Sequence, residues 1–560
     1  MGNGITQEFN MLYIDDVSFP GHGTITGAFW SRDRRILAVT SIFRRLTEPP
    51  ARAAYGGHKL RFRVSLYQPP ARQPIAVFDD AVLPINDVSF HPASTVVAIG
   101  AGSYDGGYLF QGQLVLWDWT SSAARSVRAI PEVTRLRFTD AGDDIEAIVR
   151  PWDDAAGDSP IGDPYDAFYR LTLSANCSEN CDGLTERAIR DQMIGQTPLK
   201  DRDVMNIPYF GRPIKDPLAV IGGAFGLGQF KHRSPIWDVA LTASDAISIV
   251  HDDCVLEVYD RHGERRLSFK HDGHGVHIFR ARDLLVHCTH IEKNARDRWN
   301  DCNTRLLRLH DGRLDEVVSL KGRYSFSMAQ SGNLLGRCDR SFQTNRESAA
   351  VDLILSADLT TVTQNDLGHY DVFNHFIRAD GAPYLFFVQG TPPSSHQGQY
   401  LCTVTDDGHV DRLWPLLANA GDIRSHAMEC CFCYIQDDQG PGMIVSGRHY
   451  NPSPRVPYDG FIYRRNLDGR ELWRHATAAS AASIKVVTNA GLVLVAFLDG
   501  NFAMLRGDSG VIAHWQQFRP DGYPSIIVSL DVDDTHIAIG TIDGRCAVSA
   551  LRSFIIEPFS

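Results

Sequence analysis

The feature that most constrains this chain is a short β-rich unit that returns along almost its whole length. Segments 25–41 (ITGAFWSRDRRILAVTS), 85–101 (INDVSFHPASTVVAIGA) and 133–150 (VTRLRFTDAGDDIEAIVR) share one plan, as do 236–252 (IWDVALTASDAISIVHD) and 527–541 (IVSLDVDDTHIAIGT). Each is a run rich in Val, Ile, Phe and Thr, a polar turn, then a second such run. Most continue into a third run and a fourth. Units begin near residues 24, 84, 132, 235, 274, 323, 370, 423, 481 and 524. A helical period is nearly absent. Four strands recurring every ~40–50 residues predict an all-β chain of propeller type, whose blades pack face to face around an axis. Middle strands covered on both faces should be continuously apolar, as "QLVLWDW" (113–119) is. The count allows one ring of 8–10 blades or two abutting propellers.

Particular units carry a resemblance. "VSFHP" (88–92), "AIGAGSYDG" (98–106) and "LVLWDW" (114–119) resemble a WD40 repeat, in which Trp-Asp ends the third strand, although the Gly-His that opens such a repeat is missing. "NLDGRELWRH" (466–475) and "GDSGVIAHW" (507–515) are similar to quinoprotein-type propeller repeats. The resemblance implies the propeller superfamily and no single function.

Four regions follow: residues 1–23, a segment that would close a ring; 24–173, three blades; 174–233, an insertion; and 234–560, the remaining blades. Within the insertion, "DGLTERAIRDQMIG" (182–195) predicts a short helix with Asp182 as N-cap, Gly195 at its end and Leu184, Ala188, Ile189 and Met193 on one face.

Composition narrows the class. A net charge of -12 argues against a generic nucleic-acid or acidic-membrane surface, and 43% hydrophobic with 22% charged residues is globular. The start has no charged n-region followed by an apolar core, and no apolar run is long enough to span a bilayer. The 11 cysteines suit a reducing compartment, so a cytoplasmic location is expected. Gly2 and Thr6 match the myristoylation pattern.

Loop lengths point to one elaborated face. First-to-second and third-to-fourth turns are short, whereas seven second-to-third connections are long: 44–59, 102–112, 150–166, 289–304, 337–350, 389–399 and 447–460. In a propeller these all emerge on one side of the disc. They carry Tyr55, Tyr104, Tyr108, Trp152, Arg296, Arg298, Trp299, Phe342, Arg346, Arg448, Tyr450, Arg455 and Tyr458. Aromatics and Arg are enriched at interface hot spots. These are the candidate partner-binding residues.

Catalytic chemistry is weakly signalled. Adjacent Cys430 and Cys431 match one feature of PQQ- and calcium-dependent quinoprotein dehydrogenases, but the rest of that motif is absent. Cys430 and Cys433, with Cys177 and Cys181, have thiolate spacing for zinc, yet Cys430 and Cys433 sit on a predicted strand whose side chains alternate. The histidines from His251 to His310 do not converge, and the loop from Asp153 to Asp166 lacks EF-hand spacing. "GGAFGLG" (222–228) is no phosphate loop. The expected function is therefore a non-enzymatic scaffold or recognition subunit, without a cofactor, that binds another protein through the long-loop face. The alternative is a hydrolase, lyase or small-ligand binder with its site at the central mouth of that face.

Overall fold

Each repeat unit becomes one antiparallel sheet. The computed structural model describes residues 12–14, 24–42, 62–104, 110–152, 167–175, 185–204, 207, 216–227, 234–242, 246–251, 254–270, 273–279, 284–289, 303–338, 351–368, 377–379, 381–390, 398–417, 427–449, 460–519 and 525–554. Among these are ten sheets of four or three strands, nine running in chain order and one taking its outermost strand from residues 12–14. We number them I to X. The described residues divide into two units, one holding 12–14 and 234–554, the other 24–42 and 62–227.

Sheets IV to X form the first unit. Their first strands are Ile236–Leu241 (IV), Gly273–Phe279 (V), Tyr324–Met328 (VI), Ala427–Asp437 (VIII), Ala481–Val487 (IX) and Ile527–Val532 (X). Sheet VII consists of Leu385–Gln389, Tyr400–Val404 and Val410–Pro415, the turn pattern marking these as its second to fourth strands. Ile377–Ala379 stand where its first strand would run, without strand structure.

One apolar cluster joins each sheet to the next. Val250 meets Leu285 between IV and V, and Phe279 meets Phe326 between V and VI. Ile354 with Phe387, Phe386 with Phe432, and Ile462 with Val495 continue the series through IX. Leu494 with Leu530 joins IX to X, and Val548 with Ile249 joins X back to IV. Seven sheets and seven interfaces make a closed ring, the defining property of a β-propeller. The closing strand comes from the other end of the chain: Leu12–Ile14 pairs with Cys546–Ala550 as the outermost strand of X.

Radial order explains the hydropathy of the runs. Second and third strands such as Leu492–Phe497 and Gly460–Asn466 are buried at every position. Outer strands such as Glu471–Thr477 are buried at only a few positions, here Trp473 and Thr477.

The second unit stacks sheets I (Thr24–Trp30 to Ala76–Ala81), II (Ile85–Phe90 to Ala123–Val127) and III (Glu132–Phe138, Asp144–Arg150, Tyr169–Ser174). Residues 113–119 lie at its centre: Trp117 is 1% exposed and packs on Phe78 of sheet I. Asp118 instead clamps the next turn through Thr95, Thr120 and Ser121.

Helices from the insertion finish this stack. Helix α1 (Glu186–Met193) is capped by Thr185, whose hydroxyl accepts from the Ala188 N–H, rather than by Asp182, which lies outside the described residues. Ile189 and Met193 are its buried residues. Gln192 and Gln196 reach the last strand of sheet III, accepting from the N–H groups of Thr172 (3.1 Å) and Arg170 (3.2 Å), and Gln196 donates back to the Arg170 carbonyl (2.7 Å). Side chains thus satisfy an edge that a fourth strand covers elsewhere. Helix α2 (Asp201–Val204) lays Val204 on Ile148 and Phe168 of the same sheet. Helix α3 (Pro217–Phe225) covers sheet I with Ile221 and Phe225.

Side-chain acceptors fasten several first strands to the sheet before them. Asp238 accepts from the Ile278 N–H (2.7 Å), Asp531 from Leu241 (2.8 Å), Thr304 from Tyr324 (2.9 Å) and Ser446 from Ala481 (2.9 Å). Asp87 does the same for Leu136 (2.9 Å) and pairs with Arg135 (3.2 Å).

Burial outweighs these partners and pushes the Asp87 carboxyl up to about 6. The folded form therefore holds its proton more firmly than the unfolded chain. This group's stabilisation is full below pH ~4, fades as pH rises through about 6, and changes no further above that. Urea midpoints measured from pH 4 to 7 should show that decline in wild type and a flatter profile in Asp87→Asn. Parallel profiles would mean that Asp87 does not titrate in this range.

Candidate functional site

The ring leaves a cavity of about 730 Å³ on its axis, lined by first strands of sheets IV, V, VIII, IX and X and by Arg378 and Gly381 of the segment leading into VII. Because first strands turn one edge toward the axis, the wall is built from residues whose main chain is already committed to the sheets. Its charged groups are arranged in pairs. Arg378 Nη1 donates to Asp238 Oδ2 (2.8 Å) and its Nη2 to the Ile278 carbonyl (2.7 Å), so the irregular segment at VII is tied to sheets IV and V. Lys485 Nζ stands 3.8 Å from Asp531 Oδ1.

Glu429 adopts φ 50 at a bulge between Met428 and Cys431, a conformation that costs a non-glycine residue about 1–3 kcal/mol. The bulge turns its carboxylate to Arg448, whose Nη2 donates to Oε1 (3.0 Å) and whose Nε lies 2.9 Å from Oε2, while Ser480 Oγ donates to Oε2 (3.2 Å). Trp237 keeps 42% of its surface exposed although it lies on an inner strand.

The cysteines on this wall do not converge. Cys430 packs in the VII–VIII interface, whereas Cys431 and Cys433 pack in the VIII–IX interface on the other face of the sheet. Burial raises the Cys430 thiol strongly and pushes Cys431 up to about 11, so both stay protonated at neutral pH. Among the described residues no group of three or more His, Cys, Asp or Glu is placed to hold a metal ion. Cys177 and Cys181 lie outside the described residues.

One arrangement that motif reasoning missed has the order of a nucleophilic triad. Ser234 Oγ is 2.9 Å from His251 Nδ1, and His251 Nε2 is 3.1 Å from Glu257 Oε2. All three are at most 4% exposed. None of them lines the axial cavity. Sheet X repeats the pattern, with Ser525 donating to Asp543 (2.8 Å) and Arg545 beside the same carboxylate (2.9 Å). A buried chain that recurs at equivalent strand ends ties the strands of one sheet to each other. Its members come from three separate elements, so no local motif announces it.

The strand bounds place the long connections. In the ring they join second and third strands of sheets V (residues 290–302), VI (339–351), VII (390–399) and VIII (450–459). The corresponding links in IV (252–253), IX (498–500) and X (542–545) are tight. The four long ones therefore belong to consecutive sheets, and in an up-and-down order all leave by the same edge of the ring.

Of the predicted partner-binding residues, Tyr55, Tyr108, Arg296, Arg298, Trp299, Phe342, Arg346, Tyr450, Arg455 and Tyr458 lie outside the described residues. Tyr104 ends a strand in sheet II. Trp152 packs against the II–III cluster beneath the Arg190 guanidinium, 4.7 Å from its ring centre. Arg448 is the partner of Glu429. These last two side chains are engaged within the molecule, one beside α1 and one beside the cavity.

The ring of seven interfaces defines the class: an all-β protein built on a β-propeller. No known family pattern matches the chain, and no curated protein matches it. Among solved structures, the chain is similar to the WD40 β-propeller domain of Doa1, at 13% identity and a TM-score of 0.39, over 57% of this chain and 93% of that one. The fold assignment rests on the closed set of interfaces, not on this likeness. Among the described residues no helix is long and apolar enough to cross a membrane.

Proposed function

We propose that this chain is a non-enzymatic recognition subunit of a cytoplasmic protein complex, and that it binds its protein partner through the face carrying the long second-to-third-strand connections. The observation that carries this reading is the clustering of those connections on the consecutive sheets V to VIII, while the turns leaving the opposite face stay short. Length confined to one edge of a rigid ring suits recognition, because the sheets hold the loop bases while the loops vary. The described charged groups beside the axis support the non-enzymatic part: Asp238, Glu429 and Arg378 are committed to one another's neighbours and to main-chain groups.

Replacing residues 391–397 and 450–459 by two-residue turns tests it, with Gln399 kept because its side chain accepts from the Ala427 N–H. The shortened protein should keep its circular-dichroism spectrum and melting temperature, and its yield of specifically captured partner, quantified by mass spectrometry, should fall at least about tenfold, a loss of ~1.4 kcal/mol or more. Undiminished capture by the folded variant would move the interface to another face.

A further inference from the structure

We propose that the outer edge of sheet IX is a self-association surface, on which the strand Ile512–Gln517 pairs antiparallel with the same strand of a second copy of this chain. The inference is separate from the protein-binding reading, which concerns the loops.

Sheet IX runs Ala481–Val487, Leu492–Phe497, Asn501–Arg506, Ile512–Gln517, and among the described residues no strand covers its last edge. The Phe518 N–H donates to the Gly500 carbonyl (2.8 Å). Inward-facing residues alternate along an antiparallel ladder, so the main-chain groups of Trp515 and Gln517 point away from the sheet. Edges of this kind are commonly guarded by charge or proline. The outer strands of sheets IV (Arg266), V (Glu316), VII (Arg412) and VIII (Arg474) are guarded in this way. Ile512–Gln517 reads IAHWQQ and contains no Asp, Glu, Lys, Arg or Pro. Thr361–Asn365 of sheet VI is uncharged as well, but its sequence, TVTQN, is mostly polar.

Apolar surface collects at the same edge. Of the nine exposed large hydrophobic side chains among the described residues, three are Val511, Ile512 and Trp515. A shift of register between Met504 and Leu505 sets Ile512 opposite Leu505 and Trp515 opposite Ala503. Leu505 and Ala503 both belong to the VIII–IX cluster, so Ile512 and Trp515 share one face although they are three residues apart. Phe497 anchors Trp515 there, with 5.0 Å between ring centres.

The ends of the strand identify the occupant. Asp508 lies in the turn that precedes it and Arg519 just beyond its end, both exposed. Asp508 is engaged by Arg506 only at 3.9 Å, beyond hydrogen-bond distance, and Arg519 donates to Gln517 (2.6 Å). An edge with an acid at its start and a base at its end is complementary to its own reversed copy. Antiparallel pairing about a twofold at His514 brings Asp508 of each copy to the end where Arg519 of the other stands. The same operation lays Ile512 and Trp515 of both copies along one face. A strand of 6 residues buries less than the roughly 800 Å² per partner of a standard interface, so the dimer forms reversibly with concentration.

Sedimentation equilibrium of the full chain tests the assignment. The weight-average mass should climb from the 62.2 kDa of one chain toward twice that value as concentration is raised. Ile512→Lys, at an exposed position, should keep the melting temperature and weaken dimerisation at least about tenfold, because it restores the charge that guards other edges. Asp508→Arg or Arg519→Asp alone should weaken it about threefold, and the two together should recover it, which an apolar patch without this register would not do. Hydrogen exchange supplies a readout that needs no variant: the Trp515 and Gln517 amides of wild type should gain protection as concentration rises. The single-chain mass at every concentration overturns the proposal, as does capture of a foreign apolar peptide on this edge by a chain that stays monomeric. So does a dimer that leaves those amides unprotected, or one that folded Ile512→Lys leaves unchanged.

Discussion

Asp238→Ala should lower the stability of the ring unit by about 3–5 kcal/mol, the usual cost of removing one member of a buried ion pair. The carboxylate has three duties: it accepts from the N–H of Val239, from the N–H of Ile278 in the next sheet, and from Arg378. Truncation leaves the Ile278 amide and the Arg378 guanidinium without that acceptor in a buried place, and each orphaned group adds to the loss. Asp238→Asn keeps a carbonyl oxygen for the amide and should fall between the two. Urea unfolding followed by tryptophan fluorescence measures the difference. Asp87→Ala provides the counterpart in the three-sheet stack, where Leu136 and Arg135 lose the same kind of partner. A loss below about 1 kcal/mol in Asp238→Ala would show that the junction is held by apolar packing alone.

Ile14→Asp is expected to have a comparable effect through a different route. Ile14 is 8% exposed in the cluster that joins sheet X to sheet IV, on a strand of only three residues, Leu12–Ile14. Loss of a buried isoleucine side chain costs about 2–5 kcal/mol, and an unpaired carboxylate in its place adds to that. The closing strand then leaves the edge of Cys546–Ala550, and Val548 loses its cover. The ring transition should move to lower urea, and limited proteolysis should begin cutting within Leu12–Ile14. Melting and cleavage unchanged from wild type would mean that the ring closes through Ile236 and Leu241 without its outermost strand.

Much of the architecture was legible because the repeat is written in local chemistry. The unit starts near 235, 323, 481 and 524 precede the first strands at Ile236, Tyr324, Ala481 and Ile527 by at most three residues. Runs apolar at every position betrayed the middle strands, and polar turns marked their ends. What was hidden depends on neighbours distant in sequence. Nothing in "FIRAD" (376–380) tells that Arg378 will reach Asp238 instead of heading a regular first strand. Gln192 and Gln196 look like ordinary exposed helix residues until the strand edge at Arg170 and Thr172 is set beside them. For the candidate site, loop length was readable and side-chain role was not. Trp152 and Arg448 were singled out by residue type, but type does not distinguish a side chain that waits for a partner from one already engaged with Arg190 or Glu429.

The strand that seals the ring also sets a schedule for making it. Leu12–Ile14 is synthesised about 530 residues before its partner Cys546–Ala550. At about 5–20 residues per second, the two are separated by roughly half a minute to two minutes of translation. The three-sheet stack needs only residues up to Phe225 and can be complete within that interval, whereas the IV–X interface cannot exist before the end of it. Until sheet X is made, Ile14, Ile236 and Ile249 lack the cover of Ala538, Cys546 and Val548. The nascent chain therefore carries an apolar seam whose exposure is fixed by gene order, and the cell must shield it from other chains until the last sheet arrives.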